Sequence, residues 1–256
     1  MKELVRIESS QNSGYKKLSR LFQKSRERRA TNSFVVEGKR EIDRALSNGY
    51  KVLEIWYREP LNTSITANCT SFELKKELFD KLTLRGASVS EIGVFESKQY
   101  PLAELQLSAD ARILVAEAPE KPGNIGALIR TAAGAGLDAV FIANPKTDLY
   151  NPQSIRNSMG GIFSIPIVMD QTTTIIDYLK KNSFFIAAAD LSEQSITYTR
   201  CTLKSPWAIV VGTEDEGLQE QWLENATACL QIPMSKPIDS LNVSVAAGIL
   251  IYNALG

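Results

Sequence analysis

From residue 113 onward, short apolar runs alternate with stretches of helical periodicity, and few architectures tolerate that rhythm. Residues 113–116 read as a strand, 124–136 as a helix and 139–142 as a second strand. Together they form a βαβ unit, and a crossover of that length implies a parallel sheet. A helix is expected at 173–180 and further strands at 184–188 and 208–211, and 243–255 reads as a buried helix. The first half is a smaller α/β unit with strands at 33–36 and 52–57 and helices at 39–47 and 72–82. Between residues 96 and 109 the pattern dissolves around Ser97, Tyr100-Pro101 and Ser108, so the expected domains are 1–105 and 106–256.

Charge and residue usage narrow the chemistry. The 29 basic and 29 acidic side chains cancel, but residues 1–50 hold 12 Lys/Arg against 6 Asp/Glu. Residues 11–30 read as one amphipathic helix whose Lys16, Lys17, Arg20, Lys24, Arg26, Arg28 and Arg29 form a polyanion contact. There is no histidine, which excludes Ser-His-Asp and Cys-His nucleophile systems and His-ligated zinc. The three cysteines, Cys69, Cys201 and Cys229, are too few and too scattered for a disulfide framework or a four-cysteine metal site, so no metal is expected. No signal core opens the chain and no apolar run reaches the ~20 residues of a membrane span, which points to a cytoplasmic protein without a membrane partner.

Three loops carry candidate chemistry. In the first, Pro122-Gly123-Asn124 opens a helix whose apolar stripe is Ile125, Leu128, Ile129 and Ala132, and Arg130 lies off that stripe beside Gly126 and Gly134. A G-x-G-x-x-G turn is missing, and with it the dinucleotide fingerprint of a nicotinamide-dependent oxidoreductase. The second loop, Gly212-Thr213-Glu214-Asp215-Glu216-Gly217, follows a strand and packs three carboxylates between glycines that let backbone approach a ligand. In the third, Ile232-Pro233-Met234 leads to Ser240, Leu241, Asn242 and Ser244 just before the last helix, where one of these polar groups can serve as an N-cap.

These stretches resemble the motifs of the SpoU/TrmH branch of the SPOUT methyltransferases. The first has the form N-x-G-x-x-x-R (Asn124, Gly126, Arg130) and the second G-x-E-x-x-G (Gly212, Glu214, Gly217). The third is I-P-M followed by S-L-N-V-S-V-A (Ile232 to Met234, Ser240 to Ala246), with Lys236 and then Pro237 where a glycine is usual. Arg156 and Gly160-Gly161, within a helix expected at 151–163, also look like the family. Phe34 to Gly38 and the basic helix before it resemble the L30e-like substrate-binding domain of the same enzymes.

The resemblance implies an α/β parallel-sheet domain with a C-terminal trefoil knot, an L30e-like N-terminal domain and a homodimer. The implied activity is S-adenosylmethionine-dependent methylation of a ribose 2′-hydroxyl of RNA, in ribosomal RNA. The alternatives are the same reaction on tRNA and a non-catalytic RNA-binding protein of the same fold. The implied catalytic group is Arg130, with Asn124, Glu214, Ser240 and Asn242 around it, and the implied cofactor contacts are Gly212, Gly217, Ile232, Met234 and Leu241. A guanidinium stays protonated to about pH 12, so Arg130 is expected to clamp phosphate and stabilise charge on the oxygen, with proton loss to solvent or phosphate.

Overall fold

The structure, a computed structural model, describes residues 4–59, 69–192, 194–213, 216–235 and 240–256. The chain divides into two compact units, Met1–Lys98 with Asp148–Phe163 and Gln99–Thr147 with Ser164–Gly256. The observed division therefore differs from 105/106. Leu102 is buried in the core of the second unit, with Tyr100 and Leu105 packed against it. Residues 148–163 join the first unit for equally local reasons. The Tyr150 ring stacks on Phe34 at 4.1 Å, and its hydroxyl donates to the Lys98 carbonyl at 2.9 Å.

In chain order the first unit contains β1 (Leu4–Ile7), α1 (Ser13–Gln23), α2 (Ser25–Thr31), β2 (Ser33–Glu37), α3 (Lys39–Ser47), β3 (Val52–Arg58), β4 (Thr70–Leu74), α4 (Lys76–Leu82) and β5 (Glu91–Glu96). Its sheet runs β1-β4-β3-β5-β2, with β5 antiparallel to both neighbours. Two expectations change here. The basic helix is two helices, because Lys24 turns extended (φ −124°, ψ 115°) between them; Asn12 caps the first by accepting from the Gly14 and Tyr15 N–H groups. The helix expected at 72–82 begins as a strand instead. β4 pairs in parallel with β1 and β3, and Phe72 stacks on Trp56 at 4.2 Å. Those partners lie outside any local window, which is why periodicity misassigns the segment.

The second unit contains β6 (Arg112–Glu117), α5 (Pro122–Gly134), β7 (Ala139–Ala143), then after α6 (Pro152–Ser158, part of the first unit) β8 (Ile167–Asp170), α7 (Thr172–Lys181), β9 (Phe185–Ala189), β10 (Ile196–Thr197), β11 (Trp207–Val211), α8 (Glu220–Asn225), β12 (Ala228–Gln231) and α9 (Val243–Ala254). The helix expected at 151–163 is shorter, since Met159 and Gly160 adopt positive φ (50° and 86°) and end it. All seven strands pair in parallel, in the order β10-β12-β9-β11-β6-β7-β8. β6, β7 and β11 are buried almost throughout, as continuous apolar strands of a parallel sheet must be. The chain lays β6, β7 and β8 in one direction, restarts at β9, and only then fills the gap with β11. That reversal leaves a crevice outside the carboxyl ends of the central strands.

α9 is not the fully buried helix expected. Ala247, Leu250 and Ile251 are buried where it packs on α5 and β11, but Val245 is 49% and Tyr252 57% exposed.

Candidate active site

The crevice is built by the connections that leave β9, β11 and β12. After β11 the backbone doubles back on itself: Thr213 N–H donates to the Gly217 carbonyl at 3.0 Å, and Glu216 N–H donates to the Thr213 hydroxyl at 3.1 Å. A side chain at position 212 would place its Cβ 2.2 Å from the Gly217 carbonyl carbon, and Gly217 itself sits at φ 69°. Each glycine is therefore required for its own reason, one by close approach and one by handedness.

This loop, the start of the β9–β10 connection and the segment after β12 enclose a cavity of about 440 Å³. All five residues read from sequence as cofactor contacts line it: Gly212, Gly217, Ile232, Met234 and Leu241, together with Ser240. Asp190 and Leu191 line it too, and no motif marks them. The available signal is position, since Asp190 directly follows the carboxyl end of β9. Burial raises the Asp190 carboxyl, but hydrogen bonds from Ser192 and Ser195 outweigh that and hold it below the ordinary range, so it is ionised at neutral pH.

A second cavity of about 150 Å³ adjoins the first and shares Gly212, Thr213, Glu216 and Val243 with it as a common wall. Its other side is formed by Pro119, Glu120, Lys121 and Asn124. Asn242 caps α9, its Oδ1 accepting from the Ser244 N–H at 3.0 Å and the Ser244 hydroxyl at 2.6 Å, while its Nδ2 donates to Asn124 Oδ1 at 3.2 Å. One side chain thus caps a helix and ties the first motif to the third across 118 positions.

Arg130 is not brought into either cavity of its own chain. It is exposed on α5, without a hydrogen-bond or ion-pair partner among the described residues. Six residues separate it from Asn124, which on an α-helix is about 9 Å of rise and about 120° of rotation. Glu214 and the Lys236-Pro237 pair lie outside the described residues. Of the basic residues, Lys16, Arg20, Lys24, Arg26 and Arg29 are exposed, and Lys17 pairs with Glu54 at 3.2 Å. Arg28 is a correction. It is 4% exposed, its Nε donates to Asp148 at 2.5 Å and its Nη1 to the Leu21 carbonyl at 2.6 Å, so it braces the first unit and faces no ligand.

Residues 111–252 match the model of the SpoU rRNA methylase family. The chain belongs to that family. Residues 12–89 match the MRM3-like substrate binding domain. Across 99% of this chain and 100% of the relative, the sequence is 29% identical to the 23S rRNA (guanosine(2553)-2'-O)-methyltransferase RlmP of Bacillus subtilis. A 23S rRNA (uridine(2479)-2'-O)-methyltransferase of Streptomyces viridochromogenes is 26% identical over 96% of this chain and 91% of its own. Among solved structures, an RNA 2'-O ribose methyltransferase superposes with a TM-score of 0.86 at 37% identity, covering 98% of each chain. An AdoMet-bound rRNA methyltransferase from Sinorhizobium meliloti gives 0.90 at 26% identity, covering 98% of this chain and 97% of that one. Asn124 of the first stretch, Gly212 and Gly217 of the second, and Ile232, Met234, Ser240 and Leu241 of the third all line the two cavities. No helix among the described residues is long and apolar enough to cross a membrane, and no three described His, Cys, Asp or Glu side chains are grouped to hold a metal.

Proposed function

We propose that this SpoU-family chain transfers the methyl group of S-adenosylmethionine to a ribose 2′-hydroxyl of ribosomal RNA, acting in the cytoplasm as a homodimer. The observation that carries the reading is the pair of cavities with a common wall, since methyl transfer needs donor and acceptor pockets that meet. The larger one fits the cofactor. Its volume falls in the range of about 300–1,000 Å³ typical of small-molecule sites. Its lining combines apolar Leu218, Ile232 and Leu241 for an adenine ring with the Asp190 carboxylate for a cation or hydroxyl. Its wall at Gly212 is backbone that a Cβ would displace. When bound, S-adenosylmethionine supplies an electrophilic methyl on a sulfonium that leaves as a neutral thioether.

The protein's part is to hold the hydroxyl oxygen in line and stabilise it as its proton departs. No histidine is available as base and a guanidinium is a poor proton acceptor; in this reading the proton goes to solvent or a nucleotide phosphate. Asn124 lines the smaller cavity and is held there by Asn242, with Ser240 on the cofactor side. Glu214 belongs to the same network by its place in the second motif. Arg130 clamps phosphate and offsets charge on the oxygen. Since it faces away from Asn124 along α5, a second copy docked on the open face of α9 delivers it. Thr131, its neighbour, lies 3.7 Å from where a Cβ on Gly248 of α9 would stand, so Arg130 flanks the α5–α9 seam. Lys16, Lys17, Arg20, Lys24, Arg26 and Arg29 hold the RNA backbone.

Titration calorimetry with S-adenosylmethionine, followed by mapping ribose methylation in cells with and without the gene, tests the reading. One ribosomal site lost with the gene is the expected result. A lost tRNA site would redirect the substrate, and no cofactor heat would leave only an RNA-binding protein.

A further inference from the structure

Glu117 ends β6 and is 1% exposed, yet its carboxylate makes no ion pair among the described residues; three neutral donors hold it. Thr172 Oγ1 and Trp222 Nε1 both donate to its Oε2 at 2.7 Å, and Asn144 Nδ2 donates to its Oε1 at 3.1 Å. A buried carboxylate is costly unless fully hydrogen-bonded, and here each donor comes from a different segment: the turn after β7, the first turn of α7, and α8.

Both cavities lie within reach of the elements this carboxylate joins. The next residue, Ala118, adopts φ 40°, rare outside glycine and characteristic of strained functional backbone, and its N–H donates to the Ala143 carbonyl at 2.8 Å. Pro119, Glu120 and Lys121 come next in the chain and form a wall of the smaller cavity. Trp222 is fully buried on α8, the helix that begins directly after the 212–218 loop, and that loop is the wall both cavities share. A single side chain therefore links the acceptor-side loop to the anchor of the donor-side loop.

We propose that Glu117 is a positioning residue for methyl transfer, setting the spacing of the two cavities through its bonds to Asn144, Thr172 and Trp222. The inference rests on the methyltransferase reading above. In-line displacement tolerates little error, and a misplacement of about 1 Å costs about 100-fold in rate.

The network can be inverted without changing its net charge. In Glu117→Gln the amide keeps one acceptor, for Thr172 and Trp222, but turns an N–H₂ toward the Asn144 amide donor. In Asn144→Asp two carboxylates face each other. In the double variant the new amide at position 117 donates to the new carboxylate at position 144. The second oxygen of that carboxylate accepts from the Thr172 N–H, as the Asn144 Oδ1 does at 3.4 Å in the wild type, and Asp, like Asn, tolerates the positive φ of 45° at this position.

The assay uses the full-length protein, labelled S-adenosylmethionine and ribosomal RNA purified from a strain lacking the gene. Each single variant is expected to lose at least tenfold in kcat while cofactor affinity by calorimetry stays within threefold, and the double variant to recover kcat to within threefold of wild type. Should Glu117→Gln fail to fold, Trp222→Phe deletes one of the three bonds while keeping an aromatic ring, and should lower kcat severalfold at unchanged cofactor affinity. Folded single variants with undiminished kcat, or a double variant as slow as the singles, would overturn the proposal. Failure of the wild type itself to label this RNA would instead overturn the reading on which it rests.

Discussion

Arg130 and Glu37 show how far a single side chain can be read from its surroundings. Arg130 has the N-x-G-x-x-x-R pattern around it in sequence but is exposed in space. The Arg130→Ala variant should therefore fold and bind S-adenosylmethionine as wild type does, yet lose about 100-fold or more in single-turnover methylation, the scale of removing one donor to a developing oxyanion. Unchanged single-turnover rates would remove Arg130 from the chemistry. Glu37 is 7% exposed and accepts from the Leu84 N–H at 2.5 Å. Burial raises its carboxyl above the ordinary value of 4.5, against the pull of that N–H and of the Arg85 and Arg156 charges. The folded state thus binds its proton more tightly than the unfolded chain, and stability falls as pH rises from 4.5 through the raised value. Glu37→Gln, which does not titrate, should gain on wild type over that window in urea midpoints. A pH-independent difference would mean that burial does not shift the group.

At the scale of elements, the 212–217 loop and the α1–α2 pair lead to different expectations. Gly212 has backbone where a Cβ would stand, so Gly212→Ala must displace the Gly217–Leu218 backbone, which lines the larger cavity. Cofactor affinity should fall at least tenfold by calorimetry with the secondary structure intact. The α1–α2 pair presents six basic side chains, not seven, because Arg28 is occupied by Asp148 and two main-chain carbonyls. Replacing Lys16, Arg20, Lys24, Arg26 and Arg29 with Ala should weaken RNA binding and flatten its dependence on salt, the slope falling by about 0.7–0.9 for every phosphate no longer neutralised. Arg28→Ala should instead lower the melting temperature of the protein. An unaltered salt slope in the five-fold variant would place the RNA elsewhere.

For the whole molecule, the proposed homodimer places its second copy on the open face of α9. Val245 and Tyr252 are seven residues apart on one side of an otherwise apolar helix, and leaving them half-exposed forgoes about half of the 1.5–3 kcal/mol that full burial of a large apolar side chain brings. A Val245→Glu, Tyr252→Glu variant should elute as a monomer in light scattering and lose methylation; a dimer of unchanged stability would show that the second copy docks elsewhere. The βαβ unit at 113–142, the strands at 184–188 and 208–211, the three motifs and a tight glycine loop at 212–217 were legible in the sequence, because periodicity and turn chemistry are local properties; β8 and β10, too short to show a period of their own, were not. The β4 strand, the joining of residues 148–163 to the first unit, the withdrawal of Arg28 and the burial of Glu117 were not. Each depends on a partner far along the chain, and hydrogen bonds and burial follow distance in space. The amino-acid order thus determined which turns could approach a ligand, while tertiary packing decided which side chains meet there, as Asn124 and Asn242 do, and which are held back to support them.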